Sequence, residues 1–406
     1  MKTATIALRQ VIRSRRRTSV TVGAMAFAGV MMVFYASLVA GLLSSMERHA
    51  LGTDTGDMQI HAAGFLDDPS LYTMIEDPAP ILAGLDQRGY KASPRLVGFG
   101  LVAAGTSSSG AVLRGVDVVR QPRTTRLHET LREGQWLDAA SPEGVVLGRK
   151  LARTLGVSLG DEVIVLGQDA MGAMANELFK VRGILGTVSE SVDRGGVFMT
   201  EGAFRNLMVV EKGVHEIVVM RADPQADLAL ATAEVRALAQ GQEVKNWREL
   251  LPVMATMMDS SDVGMFLMIF ITYAAVAMVI LNAMLMSVFE RIREFGVMKA
   301  IGVSPTQVGL IILFEAIIQA AAASILAVAI GVPLSLYFER HGIQLGSFID
   351  GVTVGGVSMI PVWHCSVTVS SVLTPVSFLF VITLAAVLYP ALKAALIKPV
   401  EALRHR

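Results

Sequence analysis

The 406-residue sequence predicts an α-helical membrane protein with four transmembrane helices and a large mixed α/β periplasmic domain inserted between helices 1 and 2. Three observations carry that reading. The chain is 53% hydrophobic and only 17% charged, against roughly 25% charged in soluble domains. Four apolar runs each exceed the roughly 20 residues that a helix needs to cross a bilayer. Residues 47–262, between the first run and the second, have the mixed composition of a water-facing domain. Cys365 is the single cysteine, so no intramolecular disulfide is expected. A formal net charge of zero argues against a nucleic-acid partner.

Residues 1–17 form a basic amino terminus with Lys2, Arg9, Arg13, Arg15, Arg16 and Arg17 and no acid. The first span, 18–46, carries no charge. Its run is about twice the length of a signal-peptide core, so an uncleaved anchor is expected. Ala24 and Ala28, then Ala36 and Ala40, with Ser37 and Gly41 beside them, put small residues at four-residue spacing, which lets helices approach closely. The second span is 263–289, the third 307–338 and the fourth 367–392. Glu315 interrupts the third, and Pro375 and Pro390 lie in the fourth. Residues 339–366, rich in glycine and turn formers, read as a loop.

The segments 1–17, 290–306 and 393–406 together carry 13 basic and 3 acidic residues. Lysine and arginine near span ends mark the cytoplasmic side. Both termini and the short 290–306 loop are therefore expected in the cytoplasm, and residues 47–262 outside it, in the periplasm of a double-membrane bacterium.

Within that insert, Asp57–His61, Val112–Val116, Gly144–Gly148, Val163–Leu166, Phe179–Ile184, Val197–Thr200 and Ile217–Met220 read as strands. Arg149–Leu155 reads as a helical turn capped by Gly156. Asp227–Ala239 has apolar residues at helical spacing. Ser45–Leu51 and Trp247–Asp262 prolong the first two spans. With Leu250, Leu251, Met254, Met257 and Met258 at i, i+3/i+4 spacing, they predict a helical stalk.

Catalytic signatures fail one after another. No G-x-x-x-x-G-K-[ST] phosphate cradle occurs, and G-x-S-x-G is absent. Gly98-Phe-Gly100 lacks the third glycine of a dinucleotide fingerprint and reads as a turn at a strand edge. His128-Glu129 has no second histidine at a zinc spacing. His364 and Cys365 are adjacent, which points their side chains apart in extended chain. No enzyme and no metal site is predicted. Glu315, about 14 Å into the third span at 1.5 Å per residue, is the polar group that stands out. A carboxylate inside a span faces protein or a water-filled cavity, which makes it a candidate for a dimer or coupling interface, or for a group reaching back toward Lys299.

The short loop is the most distinctive segment. Glu290-Arg-Ile-Arg-Glu-Phe-Gly-Val-Met-Lys-Ala-Ile-Gly302, followed by Val-Ser-Pro305, resembles the signature of the FtsX/MacB-like permeases, membrane subunits of mechanotransmitting ABC transporters. So do the tail from Tyr389 to Pro399-Val-Glu-Ala-Leu-Arg404, the arginines before span one, and the order of one span, a large insert and three spans. Val145–Val165 is similar to part of the family's periplasmic domain. The chain most resembles the lipoprotein-releasing (LolC/LolE-like) branch, on Gly56-Asp57-Met-Gln-Ile-His-Ala62 and on the size of the insert.

The resemblance implies a division of labour. ATP and magnesium belong to a separate cytoplasmic ATPase dimer, and this chain binds no cofactor. With 17 residues before the first span, a fused ATPase is not expected. The loop implies a coupling helix over Arg291–Ala300 that seats in a groove of the ATPase. Glu290, Arg291, Arg293, Glu294, Phe295, Gly296, Met298, Lys299 and Gly302 are its candidate residues, with Phe295, Val297, Met298 and Ile301 available to dock. Four spans are few for a pathway, so a second permease, the same chain or a homologue, is expected. A cleft lined by Met31, Met32, Phe34, Tyr35 and Leu38 is the candidate lipid site. Implied partners on the far side are a lipoprotein substrate or a periplasmic carrier. The family's other jobs, MacB-like export of periplasmic substrates and FtsX-like control of a periplasmic enzyme without transport, stay open at this point.

Overall fold

The computed structural model describes residues 2–224, 226–344, 353–354, 357–358 and 362–397. It divides into a helical unit, Met1–Ser45, Asp259–Phe348 and Pro361–Arg406, and an α/β unit, Met46–Met258 and Ile349–Ile360. The tail motif 399–404, with Lys398, Arg404 and Arg406, lies outside the described residues.

The chain opens with α1 (Lys2–Arg13) and α2 (Arg15–Ala50). The amino terminus, expected only as a basic tail, is thus helical: its alternation of cationic and apolar residues buries Ala7 and leaves Ile6, Leu8 and Ile12 exposed. At its far end α2 closes in a π turn, Leu51–Thr55.

Ten strands follow: β1 (Met58–His61), β2 (Lys91–Ala104), β3 (Ser107–Val116), β4 (Leu131–Gly134), β5 (Gly144–Leu147), β6 (Glu162–Gln168), β7 (Met174–Leu185), β8 (Gly196–Thr200), β9 (Glu216–Met220) and β10 (Glu243–Asn246). They form one sheet ordered β10-β1-β9-β2-β3-β8-β5-β7-β4, with β6 pairing both β2 and β7. β3 with β8 and β5 with β7 run parallel, and the remaining pairs are antiparallel. The intervening helices are α3 (Ala79–Gln87), α4 (Gln121–Thr124), α5 (Arg149–Leu155), α6 (Glu190–Gly195), α7 (Glu201–Met208), α8 (Leu228–Leu238) and α9 (Trp247–Leu250). Local chemistry sets their ends. Gly156 terminates α5 in the left-handed conformation, and the Asp227 carboxylate accepts from the Leu230 N–H at the start of α8.

Gly98-Phe-Gly100 is not a turn. It lies in the middle of β2, whose 14 residues pair with β9 along the first part and β6 along the second, and with β3 on the other edge. A Cβ at Gly100 would come 2.4 Å from the Leu166 carbonyl oxygen, so the glycine permits close strand approach rather than a bend.

The chain then enters α10 (Pro252–Glu290), α11 (Ile292–Ala300), α12 (Pro305–His341) and α13 (Val369–Leu396). Among the described residues four helices, α2 with its π turn, α10, α12 and α13, are long and apolar enough to cross a membrane. The expected stalk is interrupted. Trp247–Leu250 is a separate short helix, and Leu251 leaves the helical region (φ −120°, ψ 62°) because the ring of Pro252 disfavours α conformation in the residue before it. Residues 339–366, expected as loop, contain two short antiparallel pairs, 343–344 with 362–363 and 353–354 with 357–358.

In the helical unit α2 packs closely through small residues. A Cβ at Gly29 would meet Ala327 Cβ at 2.6 Å, and one at Gly41 would meet the His364 carbonyl oxygen at 1.9 Å. The Ser366 N–H donates to the Ser37 carbonyl at 2.8 Å, and Ser37 Oγ lies 3.2 Å from Ser371 Oγ. Glycine here lets the chain before α13 lie directly on α2.

Candidate functional site

The loop from Glu290 to Ser304 joins α10 to α12 within fifteen residues and holds α11 between them. α11 begins after Arg291 and ends where Gly302 takes φ +99°, a conformation that L side chains rarely adopt. Ser304 then caps α12: its hydroxyl accepts from the Gln307 N–H, Gln307 returns a carbonyl to the Ser304 N–H, and Pro305 supplies the first helical φ.

Four cationic side chains tie this loop to all four long helices. Arg17, on α2, donates from Nη1 to Glu290 Oε2 at 2.7 Å and from Nη2 to Ser287 Oγ at 2.8 Å, both at the end of α10. Arg291 donates to Glu294 Oε2 at 3.2 Å and, from Nη1, to Glu315 Oε2 on α12 at 3.3 Å. Its guanidinium also covers the Phe295 ring, 5.0 Å from the centroid. Lys299 donates from Nζ to the carbonyls of Ala394, Ala395 and Ile397, at 3.0, 2.7 and 2.8 Å. The last carbonyls of a helix have no partner within it and attract cations, so Lys299 seals the end of α13. Burial lowers its ammonium pKa from the usual lysine range. Lys393 sits over the Phe289 ring at 4.5 Å. The Arg13–Glu294 pair, 3.9 Å apart and exposed, adds little.

Glu315 therefore pairs with Arg291 and not with Lys299, which is taken up by carbonyls. The Glu315 side chain is 2% exposed and that of Arg291 14%. Glu315 Oε1, Arg291 Nη2 and, one turn further along α12, Gln319 Oε1 have no hydrogen-bond partner among the described residues.

The faces of α11 differ from the expected arrangement. Phe295, expected to project outward, is only 1% exposed and packs in a core with Met284, Val288, Val308, Ile312 and Ala394. Met298 is half-buried against the same core, and Gly296 is buried. Helical periodicity explains this. Arg291, Phe295, Met298 and Lys299 share the face that meets the helix ends, whereas Arg293, Glu294, Val297, Ala300 and Ile301 share the other. Val297 is 49% exposed and Ile301 76%. Sequence alone counted four apolar residues without deciding which two turn inward.

On α2 the candidate lipid-lining residues also separate. Met31 is exposed, Phe34, Tyr35 and Leu38 are half-buried, and Met32 is buried in the core with Met25 and Ile280. Met32 is rotated about 100° from Met31 around the helix, so it does not belong to that face. Phe34 meets Phe338 edge-on at 5.5 Å. Phe27 and Val20, exposed about one and three helical turns before Met31, extend the stripe and were not singled out by sequence. α10 is the least covered of the four long helices, with Val263, Phe266, Leu267, Phe270, Ile271 and Met278 all exposed.

Comparison with known proteins bears on both units. Residues 266–399 match the FtsX-like permease C-terminal family, and residues 18–238 match the MacB-like periplasmic core domain. The lipoprotein-releasing system transmembrane protein LolC of Xylella fastidiosa (strain 9a5c) is 25% identical over 338 residues, 80% of each chain. The macrolide export ATP-binding/permease protein MacB of Chlorobaculum tepidum is 34% identical over 126 residues, 31% of this chain and 16% of that one. Among solved structures, the periplasmic region of MacB from Actinobacillus actinomycetemcomitans is 17% identical with a TM-score of 0.37, covering 53% of this chain and 95% of that one. An α/β unit matched to one family domain and long apolar helices matched to its companion place the chain in the FtsX/MacB-like family of ABC transporter permeases.

Proposed function

We propose that this chain is the membrane subunit of a two-part machine whose ATPase is a separate cytoplasmic dimer holding ATP and magnesium. α11 lies on the cytoplasmic side with both termini, and the α/β unit, inserted between the first and second spans, lies in the periplasm. Nucleotide-driven closure of the ATPase moves α11, and α2 and α10 carry that movement to the α/β unit. The work done is extraction of a lipoprotein or another amphiphile from the inner membrane and its release to a periplasmic carrier. A second permease, identical or homologous, completes the assembly, with the α2 face of Val20, Phe27, Met31, Tyr35 and Leu38 turned toward acyl chains.

One observation carries this reading. α11 has an inner face fastened to all four long helices and an outer face on which two apolar residues, Val297 and Ile301, are exposed beside Arg293 and Glu294. A loop that only satisfied topology would have no reason to expose isoleucine and valine on a helix so firmly held. Such an arrangement suits a helix that receives a rigid partner and passes its movement on to the bundle. The relatives named lipoprotein-releasing support the choice of cargo. Val297→Asp and Ile301→Asp are the test, since both positions are exposed and the fold tolerates charge there. Each is expected to reduce co-purification of the ATPase at least tenfold while the permease itself is recovered at normal yield. Undiminished co-purification of both variants removes the docking face. With the complex reconstituted, ATP-dependent transfer of a labelled lipoprotein to a soluble carrier supports extraction; ATP-dependent activation of a bound periplasmic enzyme without transfer replaces it with signalling.

A further inference from the structure

The segment that joins α2 to the sheet is held by one buried guanidinium. After Ala50 the chain makes its π turn, closed by Gly56, whose N–H donates to the Leu51 carbonyl at 3.0 Å. Gly56 has φ +75°, and a Cβ there would come 2.5 Å from Val218 Cγ1, so glycine is required on both counts. Asp54 lies inside the turn. Arg95 donates from Nη1 to Asp54 Oδ1 at 3.1 Å and from Nη2 to the Asp54 carbonyl at 3.0 Å. The same Nη1 reaches Glu216 Oε1 at 2.9 Å, and Nε reaches Gln121 Oε1 at 3.1 Å. Arg114 completes the cluster at 3.7 Å from Asp54 Oδ2. Two guanidiniums face two carboxylates, and the Arg95 side chain is 1% exposed.

These residues come from separate elements. Arg95 is on β2 and Glu216 directly opposite it on β9, Arg114 is on β3 and Gln121 on α4. The flanks of the turn are pinned as well. Asp57 accepts from the Arg221 N–H at 2.8 Å and from Arg221 Nη2 at 3.1 Å, and the Arg126 N–H donates to the Gly52 carbonyl at 2.7 Å. On the α10 side Arg236 Nη2 donates to both carboxylate oxygens of Glu249, at 3.2 and 3.3 Å. The chain breaks at Leu251, which lines a cavity of about 470 Å³ with Ala50, Thr53, Thr55, Val188 and Ser191.

We propose that Arg95 is a positioning residue that makes the junction of α2 with the sheet rigid, so that displacement of α2 is delivered to strands β2, β3 and β9 without loss. This rests on the transmission reading above. A planar, five-donor guanidinium gripping both a side chain and the backbone of the turn fixes orientation, which a single point charge does not. Apolar packing alone would hold the junction and still let it roll.

The test uses the full-length permease with its ATPase in lipid nanodiscs, carrying Cys365→Ser and one spin label at Met171→Cys, an exposed position on the β6–β7 turn. ATP hydrolysis and the ATP-induced change in distance between the labels of paired permeases are read together. Arg95→Lys, and the charge-neutral combination Arg95→Met with Glu216→Gln, which keeps the Arg114–Asp54 pair, are the variants. Both are expected to hydrolyse ATP within twofold of the parent, while the distance change falls at least fivefold. A full distance change in the assembled variants overturns the proposal, and so does a loss confined to protein yield. Absence of any ATP-induced change in the parent removes the transmission reading itself, and this proposal with it.

Discussion

The α11 loop and the turn after α2 use the same chemistry to opposite ends. Both rely on an arginine that grips a carboxylate on a different element: Arg291 on Glu315, and Arg95 on Asp54 and Glu216. At the turn the Arg95 side chain is enclosed. Sheet, α4 and flanking backbone surround the guanidinium, and its polar atoms have partners on all sides. At the loop only the inner face is occupied, and the outer one presents Val297 and Ile301 to whatever lies beyond. The difference separates a joint from a contact surface. A joint must be complete within one chain, whereas a surface built to receive something is held rigidly from behind and left unfinished in front.

The largest effect should come from breaking the loop's ion pair. Removing Arg291 leaves Glu315 buried and uncompensated, a loss of about 3–5 kcal/mol when a single partner is deleted. Arg291→Met is expected to lower the melting temperature of the detergent-solubilised permease sharply. Arg291→Met with Glu315→Leu should recover most of it, because an apolar pair of similar volume needs no countercharge. If the single and double variants melt alike, the pair does not fasten α11. A smaller loss, about 1–3 kcal/mol, is expected for Lys299→Met, which strips three carbonyls of a charged donor. Lys299→Arg should fall between, since its fork matches that ring of carbonyls poorly. Equal stability of Lys299→Met and the parent would mean that solvent satisfies the end of α13 equally well.

Much of the architecture was legible in the sequence, and the reasons for the misses are physical. Apolar runs longer than a bilayer is thick have few alternatives, so the four long helices could be read directly, though each helix extends past the apolar run. Short strands such as Gly144–Leu147, followed by a helix with a glycine stop, are local signals and stand where expected. β2 was not legible because Gly98 and Gly100 read as a turn. They are explained only by neighbours far along the chain, such as Phe204 and Leu166. Arg95 was invisible for the same reason: its carboxylate partners lie 41 and 121 residues away. The stalk was overextended because periodicity in Leu250, Leu251 and Met254 outweighed Pro252, which governs the backbone of Leu251. In α11 the apolar residues were legible but their facing was not, since the inner face is defined by packing against α10, α12 and α13 together.

The finest test of the comparison exploits the fact that the α/β unit also buries groups that must stay uncharged. His215 Nδ1 accepts from the Val97 N–H at 3.1 Å, which leaves Nε2 to donate to the Leu71 carbonyl at 3.2 Å. The neutral ring satisfies both bonds, and the imidazolium would lose the first. Burial lowers the His215 pKa from 6.5, against opposing contributions from the Leu71 carbonyl and Glu216, and burial lowers that of His61 likewise. For a base whose folded pKa is depressed, the stabilisation is complete above the unfolded value and drains away as pH falls below it, because the unfolded chain takes up protons that the folded one refuses. Unfolding of the α/β unit, followed by tryptophan fluorescence, is therefore expected to hold constant from pH 8 to 7 and to shift to lower temperature from about pH 6.5 downward. His215→Gln should be less stable at pH 7.5 and should flatten the acid limb, with part of the slope that remains belonging to His61. A histidine limb unchanged by His215→Gln would mean that the buried ring does not set the acid response of the α/β unit.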